Sequence, residues 1–349
     1  MTAARSTAKE GTGISEAAPA TSVFVVGADE AGERLDRVVA GHCKELSRTR
    51  AQELIEASLV LVDGHAAKGS SRVREGQRVS VEERARPPMT AEAEAIPLEV
   101  LYEDDDVIVI NKAAGMTVHA GAGNPTGTLV NALLGRGQGL SQAADLLRPG
   151  IVHRLDKGTS GAIVVAKNDF AHAKVAEDFR QRVVKKTYLA LVHGALGAER
   201  GRIELAISRD PLRRTRMTTR RSAILQNARE ARTDWRVLAR VAETTLLEVQ
   251  LHTGRTHQIR VHFAALKHPV VGDTLYGATG PLRVGKIILP ALERNFLHAA
   301  KLEFRQPRTE EWVAVRAPLP EELRGYLRKL SAAVGENDAH IDAALAAYL

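Results

Sequence analysis

Apolar positions in this chain come in short runs. Leu35, Val38 and Val39 fall at i, i+3 and i+4, one face of a short helix. Ala51, Leu54 and Ile55 repeat that spacing behind Ser47, a residue type that caps helix starts. Residues 58–62 predict a strand closed by an Asp63-Gly64 turn, and Val79 and Val81 alternate with polar residues as a further strand. Further on, 107–110, 163–166, 187–192, 246–251 and 312–315 read as strands, whereas helical spacing is clear only over 170–182 and 256–266. Strands outnumber helices and do not alternate with them. That predicts an α+β chain with a mixed, mostly antiparallel sheet rather than a doubly wound parallel one. No run of about 18 apolar residues is present, so no membrane helix is expected.

The same pattern divides the chain. Residues 1–22 hold almost no large apolar side chain and are expected as a disordered tail. A small domain follows over 23–84, then a linker over 85–97 with Pro87, Pro88, Pro97 and alternating Ala and Glu. A large domain is expected over 98–330, and an Ala-rich C-terminal extension over 331–349. Cys43 is the one cysteine, so neither an internal disulfide nor a thiolate zinc site can form from it. With no signal-peptide pattern at the start, the reading is a reduced, cytoplasmic protein.

Charge changes the picture through its distribution. Lys plus Arg is 49 against 42 for Asp plus Glu, a formal net charge of +7. Residues 209–240 alone hold ten arginines against Asp210, Glu230 and Asp234, so the rest of the chain is near neutral. A solvated hairpin is the usual fate of such a run. Arginine without lysine, however, suits phosphate forks and stacking on bases, which favours RNA contact led by Arg213, Arg214 and Arg216. Lys44, Arg48 and Arg50 form a smaller cluster at a helix start. On charge alone that is more often a solvated face than a phosphate contact.

Several familiar chemistries fail on inspection. Gly280 to Lys286 has P-loop spacing, but Ile287 stands where a Ser or Thr should hold magnesium. His252, His257, His262 and His268 lack zinc-binding spacing, and Ser160 lacks a nucleophile elbow. No metal and no nucleotide cofactor is expected. The chemistry instead falls in a polar loop, Gly150-Ile-Val-His153-Arg154-Leu-Asp156-Lys157-Gly-Thr159-Ser160-Gly161, that feeds a buried strand. Arg154 and Lys157 flank Asp156 and favour its ionised form, available as nucleophile or base. From these residues alone, a turn-capping or ion-paired aspartate is the commoner alternative.

The run HRLDKGTSGAIVVAK (153–167) resembles the signature of the RluA family of pseudouridine synthases, which isomerise uridine in RNA. Asn111-Lys112-Ala-Ala-Gly115-Met-Thr-Val-His119 resembles an upstream block, with Ala113 in place of the usual Pro. Ala120 likewise stands where many members have Pro. Lys185-Lys186-Thr187-Tyr188, Gly254-Arg255-Thr256-His257-Gln258-Ile259-Arg260, His268-Pro269-Val-Val-Gly272-Asp273 with Tyr276-Gly277, and Leu297-His298-Ala299 follow in the family order. The small domain similarly resembles the RNA-binding domain of ribosomal protein S-four.

The resemblance implies roles. Asp156 is the expected catalytic aspartate, Tyr188 the residue against the base that takes part in proton removal, and Arg260 the partner that orients Asp156. Arg154 is expected to enter the RNA beside the flipped nucleotide. Contacts to substrate are also expected from His153, Lys112, Arg255, His257 and Gln258. Tyr188 as a core aromatic and Arg260 as a surface cation remain the bland alternatives. The expected activity is cofactor-free isomerisation of uridine in RNA, most simply large-subunit ribosomal RNA, by a monomer. Transfer RNA as substrate, or a non-catalytic RNA-binding or ribosome-assembly protein, are the rivals.

Overall fold

A computed structural model of the chain describes residues 20–43, 46, 48–83, 91–121, 124–137, 139–143, 147–213, 215–219, 228–278 and 280–348. The chain divides into two compact units, Met1–Pro88 and Met89–Leu349. No helix among the described residues is long and apolar enough to cross a membrane.

The small unit contains β1 (Ala20–Val25), α1 (Leu35–His42), α2 (Arg48–Glu56), β2 (Val60–Val62), β3 (His65–Ala66) and β4 (Arg78–Glu83). Its sheet order is β1-β4-β2-β3. The helical faces read from spacing are the core: Leu35, Val39 and Ala51 have no exposed surface, and Val60, Val79 and Val81 close over them from the sheet. Asp63 and Gly64 both take positive φ, 50° and 80°, the geometry of a tight hairpin turn between β2 and β3. Ala20 to Ser22, expected in the tail, instead begin β1 and pair with Glu83 to Val81. Ser47, expected as a cap, and Lys44 lie outside the described residues.

The large unit runs through β5 (Glu99–Glu103), β6 (Val107–Lys112), α3 (Leu129–Gly135), β7 (Ser160–Ala166), α4 (Asp169–Arg180), β8 (Lys185–His193), β9 (Arg200–Ile203), β10 (Ser208–Arg209) and β11 (Met217–Thr218). It continues through β12 (Thr233–Val241), β13 (Thr244–Leu251), α5 (Gln258–Ala265), β14 (Arg283–Val284), β15 (Ile287–Ile288), β16 (Leu297–Arg305), β17 (Trp312–Arg316), α6 (Glu321–Ala333) and α7 (Ala339–Leu345). Nine strands form one sheet in the order β5-β6-β7-β16-β8-β13-β12-β9, with β17 added on β16. Its described pairings are antiparallel except β7 with β16. The chain is therefore α+β with an antiparallel-dominated sheet, as the strand count predicted.

Several elements differ from the sequence reading. β16, at the sheet centre, was not predicted as a strand, and neither was β12, whose arginines masked its alternation. The Ala-rich end is packed rather than appended: Ile341, Leu345 and Tyr348 are buried in the main core. The P-loop lookalike is the two-residue hairpin of β14 and β15, with Gly285 at φ 57° in its turn.

Candidate active site

Three strand ends meet at one edge of the sheet. β7 begins there, β8 enters there and β13 ends there. Ser160 pairs with His298 and Gly161 with Ala299 across the parallel seam, and Ala299 pairs with Tyr188 on the other side. Gly161 has φ 115°, and a Cβ there would lie 2.3 Å from the Ala299 carbonyl oxygen, so only glycine allows this approach. The 153–159 loop is thereby pinned beside Tyr188, at a cavity of about 560 Å³.

Asp156 lies in the turn before β7, where the Thr159 N–H donates to its backbone carbonyl at 3.0 Å. Its carboxylate accepts from Arg260 Nη1 at 3.2 Å. Arg260, on α5, donates Nε and Nη2 to both oxygens of Asp273, at 2.6 and 2.9 Å. Asp273 is 1% exposed, Arg260 12% and Asp156 18%, so the gradient from buried to open runs toward Asp156. Burial alone would lower the Arg260 pKa, but its bonds to Asp273 and Asp156 more than reverse this, so it stays charged. Asp273 was not singled out from the sequence. There it appears only within the His268–Asp273 family block, with no role attached to it.

Tyr188 lines the cavity from β8 and is buried. Burial first, and the Asp156 charge second, push its pKa well up, so it rests as the neutral phenol. Arg154 is exposed at the cavity and makes no ion pair among the described residues. His257 also lines it, with Nε2 3.9 Å from Asp156 Oδ2. Its pKa is lowered, by burial above all. Lys186, which the sequence marks only as part of a family block, also lines the cavity, with its ammonium 5.4 Å from the Phe179 ring centroid and its pKa pushed down to about 8 by burial.

Other expected site residues serve the architecture. Lys112 is fully buried and absent from the cavity wall, which corrects its expected contact with substrate. Its ammonium donates to the carbonyls of Ala113, Met116 and Lys157 at 2.8, 2.9 and 3.5 Å, bracing the Asp156 loop from behind. His153 lines the cavity, yet its Nε2 accepts from the Val164 N–H at 3.1 Å and its ring stacks on Phe179. Burial holds its pKa down at about 3. Gln258 is buried and ties Thr253, Thr233 and the Arg232 carbonyl together. Arg255 lines the cavity and donates to the Glu230 carbonyl at 3.1 Å.

The arginine-rich stretch is not one patch. On β12, Arg236 pairs with Glu248 and Arg240 with Glu199, and just before it Arg232 pairs with Asp234. The β10–β11 hairpin presents its cations differently. Asp210 accepts from the Leu212 and Arg213 N–H groups and shapes a turn on which Arg213 is exposed. Arg216 lies over the Tyr276 ring. Arg214, Arg220 and Arg221 lie outside the described residues. In the small unit Arg48 pairs with buried Asp36, and the side chain of Arg50 lies outside the described residues. Of the four histidines that lack zinc-binding spacing, His252 bonds Asp234, His257 meets the Tyr276 hydroxyl, His262 bonds Thr233, and His268 bonds the His193 carbonyl.

A family model described as RNA pseudouridylate synthase matches residues 106–265, and one described as S4 domain matches residues 33–79. The chain belongs to the RNA pseudouridylate synthase family, with an S4 domain ahead of the synthase domain, and is an RNA uridine-to-pseudouridine isomerase. Among its relatives is the ribosomal large subunit pseudouridine synthase D of Nitrosomonas europaea, 43% identical over 301 residues, covering 86% of this chain and 85% of that one. An uncharacterized RNA pseudouridine synthase of Chloroflexus aurantiacus is 46% identical over 310 residues, covering 88% and 93%. The solved structure of human RNA pseudouridylate synthase domain containing 1 superposes with a TM-score of 0.53 at 30% identity, covering 72% of this chain and 96% of that one.

Proposed function

We propose that this enzyme isomerises uridine in large-subunit ribosomal RNA and that Asp156 is its catalytic group. The observation that carries the reading is the division of Arg260 between two carboxylates. Asp273 takes the bidentate face in the interior, and the remaining N–H holds Asp156 at the cavity. A carboxylate so held is paired with a guanidinium, aimed and partly relieved of water, as attack on the sugar carbon or assistance in its deprotonation requires.

Tyr188 stands where a flipped uracil would pack. Its neutral phenol is a poor base at rest. Taking the carbon-five proton therefore means passing its own hydroxyl proton to a uracil oxygen or to water in the same step. Arg154, exposed and unpaired among the described residues, fills the gap left in the RNA stack by the flipped nucleotide. Isomerisation breaks the ring nitrogen–sugar bond and forms the carbon–sugar bond with no net oxidation, so these side chains suffice.

Ribosomal RNA is favoured by the names of the relatives and by the S4 domain. The test is tritium release from RNA labelled at carbon five of uridine. Release from large-subunit ribosomal RNA is expected. Release from transfer RNA alone would replace the substrate assignment, and release from neither would overturn the reading.

A further inference from the structure

The basic hairpin and the Asp156 site are joined through Tyr276. The Met217 backbone N–H, in β11, donates to the Tyr276 hydroxyl at 2.8 Å. The same hydroxyl lies 2.9 Å from His257 Nδ1, and the two rings meet edge to face, 5.6 Å apart at 85°. The Tyr276 ring also carries two guanidiniums, Arg216 from the hairpin at 5.2 Å and Arg260 from α5 at 5.1 Å. His257 itself has φ 55° and ψ 23°, the left-handed region that a non-glycine residue occupies only when its surroundings enforce it.

Hydrogen-bond chemistry gives this chain a direction. A backbone N–H can only donate, so one lone pair of the Tyr276 oxygen is committed to Met217. The hydroxyl proton is then available to His257 Nδ1 in the tautomer whose Nδ1 accepts. An uncharged imidazole that accepts at Nδ1 carries its own proton on Nε2, the atom 3.9 Å from Asp156 Oδ2. Burial supports both halves of the arrangement, lowering the His257 pKa and raising that of Tyr276. At 3.9 Å the last link is electrostatic, and catalytic contacts of this kind shorten once substrate is bound.

We propose that Tyr276 is a positioning residue coupling the seating of the β10–β11 hairpin to Asp156: Met217 holds the hydroxyl, the hydroxyl holds His257, and His257 turns its Nε2–H to the carboxylate. RNA phosphates drawn to Arg213 and Arg216 thus act on the aspartate as well as on affinity. The kinetic half of this proposal rests on Asp156 being the catalytic group.

The test starts with the full-length protein, labelled with nitrogen-15 on histidine, and reads the His257 tautomer without any substrate. Wild type is expected in the Nε2–H form, and Y276F, which keeps the ring between the two guanidiniums, in a mixture of tautomers. On labelled RNA, Y276F is expected to lower kcat about tenfold with KM unchanged. R213A is expected to lower kcat in wild type but only to raise KM in the Y276F background. An unchanged tautomer in Y276F overturns the proposal. So does an R213A effect that is identical in both backgrounds. If wild type releases no tritium from any RNA, the Asp156 reading fails, while the tautomer measurement still decides the His257 link.

Discussion

Both units of this molecule bring carboxylate and guanidinium together, in opposite proportions. In the small unit one buried carboxylate, Asp36, accepts from Arg34 Nη2 at 2.7 Å, Arg48 at 3.3 Å and Gln52 at 2.6 Å. The Arg34 and Arg48 side chains are 40% and 55% exposed, so a hidden acid aims two cations at solvent. In the large unit one half-hidden cation, Arg260, aims an acid at a cavity while a second acid anchors it from behind. On the proposed reading, the same ion pair yields an RNA-holding surface in one place and a reactive group in the other. What differs is which partner is left facing out.

Asp156→Asn tests the reactive side most directly. It removes the outward charge and keeps the shape, and tritium release should fall by at least about 10³-fold while filter binding shows RNA affinity retained. Asp273→Asn is next. It leaves Arg260 held on one side only, and breaking a buried pair from one end costs about 3–5 kcal/mol, readable in denaturant unfolding. Activity should drop about 10–100-fold with it, as for other residues that support a reacting ligand from behind.

The RNA-holding side should fail more gently. Asp36→Asn loosens both arginines, costing about 1.5–3 kcal/mol in charge-assisted bonds, and the functional loss should appear as a raised KM. Chiefly through its bond to Arg34, the folded Asp36 carboxyl is held below the usual carboxylate range. That contribution is therefore complete above about pH 4 and is lost as the pH falls below it, so acid should unfold the small unit progressively, followed by amide spectra. Arg213→Ala should weaken RNA binding and reduce its salt dependence by about one counterion. Arg236→Ala should do least. Its charge is already matched by Glu248, so stability should shift by less than about 1 kcal/mol and the salt slope not at all.

That last contrast shows where the sequence stopped being readable. Ten arginines in one stretch look alike in one dimension. Arg236 and Glu248 are partners only because β12 and β13 pair in that register, which no local pattern announces. The Asp156 loop was legible because a polar loop entering a buried strand is a local signature, and the family blocks around it are contiguous. Asp273 and Tyr276 acquire their meaning from α5, and Lys112 from the loop it braces, so each was misjudged or passed over. β16 escaped prediction because its first half, Leu297 to Ala300, is buried throughout and shows no alternation. α3 is too short for a clear period, whereas α6 was legible and passed over, since Leu323, Tyr326, Leu327 and Leu330 fall at i, i+3, i+4 and i+7.

The parallel pairing of β7 with β16 also sets a schedule. Ser160 Oγ and His298 Nδ1 are 2.9 Å apart in space and 138 residues apart along the chain. Synthesis proceeds from the N-terminus, and contacts so distant along the chain form late. Until β16 has emerged, the strand that fixes the Asp156 loop beside Tyr188 does not exist. A growing chain therefore has its S4 domain, and with it a means of holding RNA, well before it has a site able to alter a base.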